Sequence, residues 1–147
     1  MEVAERAVSS LDLPARFTKF LTREWGIQML HPPQAEAAPS ILKGDNTLVA
    51  IPTASGKSLL AYMGMVKRIS EGHSRSKAIY IVPLKALAME KYEDLSAIAG
   101  AMGWSVGLGI GDATAEAKNI DDCNILVCTS EKLDSLLRHR AELVSDV

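Results

Sequence analysis

The residues best suited to chemistry lie in one run, Ala50-Ile51-Pro52-Thr53-Ala54-Ser55-Gly56-Lys57-Ser58. An apolar stretch precedes it and an amphipathic stretch follows, so the run reads as a tight loop between a buried strand and a helix. Backbone N–H groups of such a loop converge on a phosphate, and the positive end of the helix dipole adds to their pull. Gly56 lets the backbone come close, Lys57 can reach the β- and γ-phosphates, and the Ser58 hydroxyl can ligate Mg²⁺. Ile51 stands where the strict GxxxxGK[ST] pattern has its first glycine. The plain alternative is an ordinary strand-to-helix turn.

The elements that must position this loop follow from periodicity. Asp12-Leu13-Pro14 is a helix start, with proline pre-shaped for the first helical position, followed by Phe17, Phe20, Leu21 and Trp25 and a stop at Gly26. A second helix runs from Pro32-Pro33 to near Gly44, with Ala35, Ala38, Ile41 and Leu42 inward and a kink expected at Pro39. Thr47 to Ile51 reads as a strand buried on both faces. After the loop, Leu59, Tyr62, Met63, Val66 and Ile69 mark one helix face. Further strands are expected at 78–82, near 105–110 and at 125–128. One helix carries Leu84, Leu87, Ala88, Leu95 and Ile98, and a last one carries Leu133, Leu136 and Leu137, with Arg138, His139 and Arg140 in its final turn. Alternating strands and helices give an α/β fold, a parallel sheet with helices on both faces.

Composition narrows the function. Of 147 residues, 16 are Lys or Arg and 18 are Asp or Glu, for a net charge of −2. That balance excludes binding of nucleic acid by bulk charge, so any such site is local. No run of about 18 apolar residues suggests a membrane span. The N-terminus lacks a signal-peptide pattern, so a cytoplasmic location is expected. Cys123 and Cys128 do not have metal or redox spacing, and their odd offset on a strand should send them to opposite faces as reduced core thiols.

Beyond this physical reading, Pro52-Thr53-Ala54-Ser55-Gly56-Lys57-Ser58 resembles motif I of the superfamily-two helicases. Pro32-Pro33-Gln34-Ala35-Glu36-Ala37 is similar to their adenine-reading Q motif. Pro83-Leu84-Lys85-Ala86-Leu87-Ala88 resembles motif Ia, Gly111-Asp112 motif Ib, and Thr129-Ser130-Glu131-Lys132 motif Ic. The forms of the first two flanking motifs point to the archaeal DNA-repair helicases that share a branch with the polymerase-theta helicase domain. The resemblance implies an N-terminal helical segment at 1–45 and a partial, RecA-like ATP-binding domain at 46–147. It implies that Gln34 reads the adenine edge and that Thr53, Ala54, Ser55, Gly56, Lys57 and Ser58 hold ATP, with Ser58 on Mg²⁺. It implies that Pro83, Lys85, Gly111, Asp112, Thr129 and Ser130 touch the backbone of single-stranded or branched DNA. Lysines, hydroxyls and helix-start amides bind phosphates without reading sequence. In their plain readings Lys85 is a surface lysine, Thr129 or Ser130 a helix cap, and Gln34 an exposed helical glutamine.

Hydrolysis needs one carboxylate to hold Mg²⁺ and another to place water, usually an Asp-Glu pair ending a buried strand. No Asp-Glu dipeptide occurs in this chain, and no residue is assigned a catalytic role. The chain is therefore expected to be the front of the first motor domain of a larger ATP-dependent DNA helicase acting in repair or recombination, and inactive by itself. An RNA helicase of the same superfamily and a small non-motor nucleotide-binding protein are the alternatives. A sheet lacking a strand next to the loop should self-associate, or fill the gap with its own terminal residues.

Overall fold

The computed structural model describes residues 4–111 and 120–147. They form two compact units, Met1–Glu71 and Gly72–Val147. The first unit contains β1 (Arg6–Ala7), a 3₁₀ turn (Val8–Ser10), α1 (Ala15–Arg23), β2 (Met29–Leu30), α2 (Pro32–Lys43) and α3 (Lys57–Glu71). Pro14 sits just ahead of α1 as its N-cap residue, and Phe17, Phe20 and Leu21 are buried at the predicted spacing. Gly26, at φ 67°, turns the chain back so that the Ile27 N–H donates to the Leu21 carbonyl at 2.9 Å. β1 and β2 pair antiparallel, Arg6 opposite Leu30 and Ala7 opposite Met29.

α2 begins at Pro32 and ends at Gly44, whose φ of 90° closes the helix as a left-handed cap. It runs unbroken through Pro39, which faces solvent. Ala35 and Ala38 are buried, while Ile41 and Leu42 are half-buried. Every apolar residue predicted to face inward on α3 is buried, namely Leu59, Tyr62, Met63, Val66 and Ile69. Gly64 brings α3 close to α2, since a side chain there would meet the Ile41 methyl at 2.9 Å.

Residues 47–51 do not form the predicted strand. They enter no ladder among the described residues, and Leu48 is 94% exposed. An apolar run of this kind is stable as a strand only between paired neighbours, and no ladder of the described residues includes this segment. Apolarity there reports what the segment could be buried by, and none of the described strands flanks it.

The second unit holds β3 (Ala78–Val82), α4 (Lys85–Met102), β4 (Val106–Gly109), β5 (Ile125–Thr129), α5 (Ser130–His139) and a 3₁₀ turn (Ala141–Val144). The three strands form one parallel sheet in the order β3-β5-β4. All five residues of the central strand β5 are buried, as its continuous apolar sequence requires. Leu126 and Cys128 cluster with Ile120, Cys123, Leu136 and Leu143. Ile125 and Val127, of opposite parity, turn to the other face of the sheet. α4 buries Ala88, Leu95, Ile98 and Ala99. Leu84 precedes α4 as its N-cap residue and is 61% exposed, so it is not part of the helix's inner face.

The cysteines are free and buried, as expected, but they share one core cluster rather than lying on opposite faces. The parity argument fails because Cys123 lies in the turn before β5, where the two-residue alternation does not apply. Arg140 follows α5 as its C-cap residue and pairs with Asp121, whose carboxyl is held below its usual range by that guanidinium.

Burial pushes the Cys128 thiol from 9.0 up to about 11. The folded state therefore keeps its proton where the unfolded state releases it, and stability falls as pH rises from the ordinary thiol value toward the raised one. Urea denaturation from pH 8 to 11 should show wild type losing stability relative to Cys128→Val. Parallel pH curves for the two would contradict the burial assigned to this thiol.

Candidate nucleotide loop and nucleic-acid groove

The loop from Pro52 to Ser58 is built by local turns and one buried side chain. The Ser55 N–H donates to the Pro52 carbonyl at 3.0 Å. Gly56 follows at φ 74°, a conformation costly for any residue with a Cβ. Lys57 opens α3, and the first-turn amides of that helix have no intrahelical acceptor. The Lys57 ammonium bridges the mouth of the loop, donating to the Ile51 carbonyl at 2.8 Å. Ser58 is half-buried in the first turn of α3.

Gln34 is the second component. Its side chain is buried, its Oε1 accepts from the His31 N–H at 2.9 Å, and its Nε2 donates to the Gly56 carbonyl at 3.1 Å. A Cβ at Gly56 would overlap that Nε2. Two constraints thus select glycine at this position, the backbone angle and the space that Gln34 fills. The Gly56 carbonyl also accepts from the Leu59 N–H at 3.2 Å. Because a trans peptide points its C=O and N–H in opposite directions, drawing this carbonyl inward turns the Lys57 N–H outward, toward the mouth. Inside the chain the amide of Gln34 uses one of the two lone pairs on Oε1 and one of its two Nε2 hydrogens, which leaves one acceptor and one donor position.

The second unit brings together Pro83, Lys85, Gly111 and Thr129 around a cavity of about 400 Å³. Lys85 stands at the start of α4, with its ammonium 3.5 Å from where a Cβ on Gly111 would lie. Gly111 itself has φ 72°. Thr129 ends β5 and caps α5 at once, its Oγ1 accepting from the Lys132 N–H at 3.3 Å. Ser130 is exposed at the start of α5 and does not line the cavity; Asp112 lies outside the described residues.

Sequence reasoning missed four lining residues, Leu84, Glu131, Lys132 and Ser135. The glycines of β4 were the available signal for Lys132. A Cβ on Gly109 would lie 3.3 Å from Lys132 Cγ and 3.1 Å from Cys128 Cβ, so the bare strand makes room for the lysine stem. The groove thus presents two lysines and two hydroxyls, those of Thr129 and Ser135, against one glutamate. This is a donor set for a phosphate backbone.

The sequence pattern of DEAD/DEAH box helicases matches residues 31–147. The chain belongs to that family. As a DEAD/DEAH box helicase chain it is 48% identical over 143 residues to the ATP-dependent DNA helicase Hel308 of Methanocella arvoryzae, covering 94% of this chain and 19% of that protein. It is 45% identical over 130 residues to Hel308 of Pyrococcus abyssi, covering 88% of this chain and 18% of the relative. The chain therefore spans about a fifth of the length of these curated relatives. Among solved structures, the crystal structure of DUF1998 helicase MrfA bound to DNA superposes with a TM-score of 0.78 at 26% identity, over 99% of this chain and 21% of MrfA. The RNA-helicase Prp28 from Chaetomium thermophilum bound to ADP shares the fold, with a TM-score of 0.72 at 22% identity over 88% of this chain and 33% of its own. The motif resemblance and the RecA-like reading of the sheet are borne out.

Gly56→Ala should destabilise this helicase chain by about 1–2 kcal/mol from its backbone angle alone, with a further loss from the overlap with Gln34. In the Gln34→Ala background the second part disappears, so the same substitution should cost less. Urea denaturation of the four proteins measures the difference. Additive effects would show that Gln34 does not fill the space beside Gly56.

Proposed function

We propose that this chain is the nucleotide-binding and strand-tracking front of an ATP-driven DNA helicase acting in repair or recombination. The observation that carries the reading is the Pro52–Ser58 loop, held by Gln34 with the Lys57 and Ser58 amides at the start of α3 left to donate. The preference for DNA follows from the similarity to proteins named ATP-dependent DNA helicase. In this reading Thr53, Ala54, Ser55, Gly56, Lys57 and Ser58 hold the triphosphate, and Lys57 leaves the Ile51 carbonyl to meet it. Gln34 meets the adenine with its remaining Nε2 hydrogen, donated to N7, and the second lone pair of Oε1, which accepts from the N6 amine. Ser58 would hold Mg²⁺, which supplies charge neutralisation at the phosphates when bound. Pro83, Lys85, Gly111, Asp112, Thr129 and Ser130 follow the backbone of a single strand, joined by Lys132. Among the described residues no helix is long and apolar enough to cross a membrane, and we place the protein in the cytoplasm.

The chain alone should turn over ATP no faster than buffer, because it lacks the paired carboxylates that hydrolysis needs. The full-length gene product should hydrolyse ATP on DNA and lose that activity with Lys57→Ala. Steady turnover by the 147-residue chain, abolished by Lys57→Ala, would mean that it holds a catalytic acid of its own.

In the full-length product, Lys85→Ala should weaken single-stranded DNA binding by similar factors on all sequences. It should also lower the salt dependence by about one counterion or less. A sequence-dependent loss would assign Lys85 to base reading, and tighter binding to RNA than to DNA would transfer the function to RNA.

We further propose that the chain self-associates through the segment at 47–51. Its backbone has no ladder partner among the described residues, and beside it a cavity of about 390 Å³ is lined by Ile41, Val49, Leu60 and Ala61. Unpaired strand-forming backbone with exposed apolar side chains invites another chain. Light scattering at micromolar concentration should report species larger than 15.8 kDa, and a monodisperse monomer would exclude the association.

A further inference from the structure

The residues ahead of α2 are tied to both sides of the nucleotide loop. On one side, β1 pairs with β2, and the Val8 N–H donates to the Gln28 carbonyl at 2.9 Å. β2 ends at the fully buried Leu30, one residue before His31, whose N–H holds Gln34 Oε1. On the other side, Asp12 reaches α3. Its Oδ2 lies 2.5 Å from Lys67 Nζ, and the same ammonium lies 2.6 Å from Glu71 Oε1. Lys67 is buried, while the carboxylates of Asp12 and Glu71 are largely exposed. Trp25, just after α1, packs edge-on against Phe20 at 5.0 Å and lies 6.1 Å from the Tyr62 ring of α3.

These contacts close a ring. The loop opens α3, α3 holds Asp12 through Lys67, the segment from Asp12 leads back to β1, β1 fixes β2, and β2 fixes the His31–Gln34 turn. Gln34 then returns to the loop at Gly56. The family match begins at His31, so the closing part of the ring, residues 6–30, lies outside the matched region.

We propose that residues 6–14 form a strap that sets the position of Gln34 relative to the loop, with Asp12 and Lys67 as its positioning residues, and so sharpens selection of adenine over other bases. The inference rests on the reading of Gln34 as the adenine-facing residue. Freeing Asp12 from Lys67 removes the strap's ion pair to α3 and leaves it held by β1, the Val8–Gln28 hydrogen bond and the buried Val8 and Leu11. The His31–Gln34 turn can then shift against Gly56, and an amide displaced by a fraction of an ångström no longer pairs with both N7 and the N6 amine of adenine, a combination that guanine lacks. The phosphate contacts come from α3 and the loop backbone, and change less.

The test uses the full-length gene product and fluorescent mant-ADP and mant-GDP titrations of wild type, Asp12→Asn, Lys67→Met, Lys67→Arg and Gln34→Ala. Asp12→Asn alters an exposed carboxylate, and Lys67→Met keeps the buried stem, so both should fold. Each should reduce the preference for the adenine nucleotide by about three- to tenfold, and Lys67→Arg should retain it. If Asp12→Asn and Lys67→Met lower the denaturation midpoint while the preference stays at the wild-type value, the strap only stabilises the fold and the inference is overturned. If Gln34→Ala also leaves the preference unchanged, the adenine reading fails together with it. If Gln34→Ala alone reduces the preference, that reading stands and the strap is excluded.

Discussion

The carbonyl of Gly56 accepts two hydrogen bonds from inside the first unit, from Gln34 Nε2 and from the Leu59 amide. That pair of bonds orients the peptide that carries the Lys57 N–H, and most of the surrounding sequence is arranged to keep it. Gly56 has no side chain because Gln34 needs the space. Gln34 can stay buried because its oxygen is satisfied by the His31 amide, so no buried polar atom at that end is left unpaired. α2 carries Gln34 close enough because Gly64 lets the two helices approach at Ile41. A loop preset in this way does not have to be ordered by its ligand, which lowers the entropic cost of binding.

In the proposed reading, the loop and the groove would each hold phosphate, by different means. At the loop, the donors are mainly peptide groups at a helix start, and one lysine covers the mouth. In the groove, side chains dominate, with Lys85 and Lys132 reaching over Gly111 and Gly109. A chain with a net charge of −2 attracts phosphates only where such groups are concentrated, and glycine is what permits the concentration. Each lysine lies over a residue that has no side chain to compete with it.

Much of this was legible in the sequence because it depends on local patterns. The Gly-Lys-Ser loop, the glycine stops at Gly26 and Gly44, the apolar face of α3 and the three strands at 78–82, 106–109 and 125–129 all stand where composition and spacing put them. The failures share one cause, that burial is a property of neighbours. Thr47 to Ile51 has strand composition but no flanking strand among the described residues. Leu84 has helix-face spacing but falls on the cap. Cys123 has strand spacing but belongs to a turn. Gln34 looked like a surface residue apart from its family resemblance, and only the three-dimensional contact with Gly56, 22 residues away, accounts for its burial. Lys132 was in view as part of Thr129-Ser130-Glu131-Lys132, but its path over Gly109 depends on how β4 pairs with β5.

Thr129 is both the last residue of β5 and the cap of α5, so no loop separates the central strand from the helix that follows it. Lys132 and Ser135 therefore ride on a continuation of the most deeply buried strand. Lys85, by contrast, reaches the groove from a helix joined to β3 by Pro83 and Leu84. The groove is a vise with one fixed jaw. Its Lys85 side is set by the Pro83–Leu84 joint, and its Thr129 side by the central strand itself.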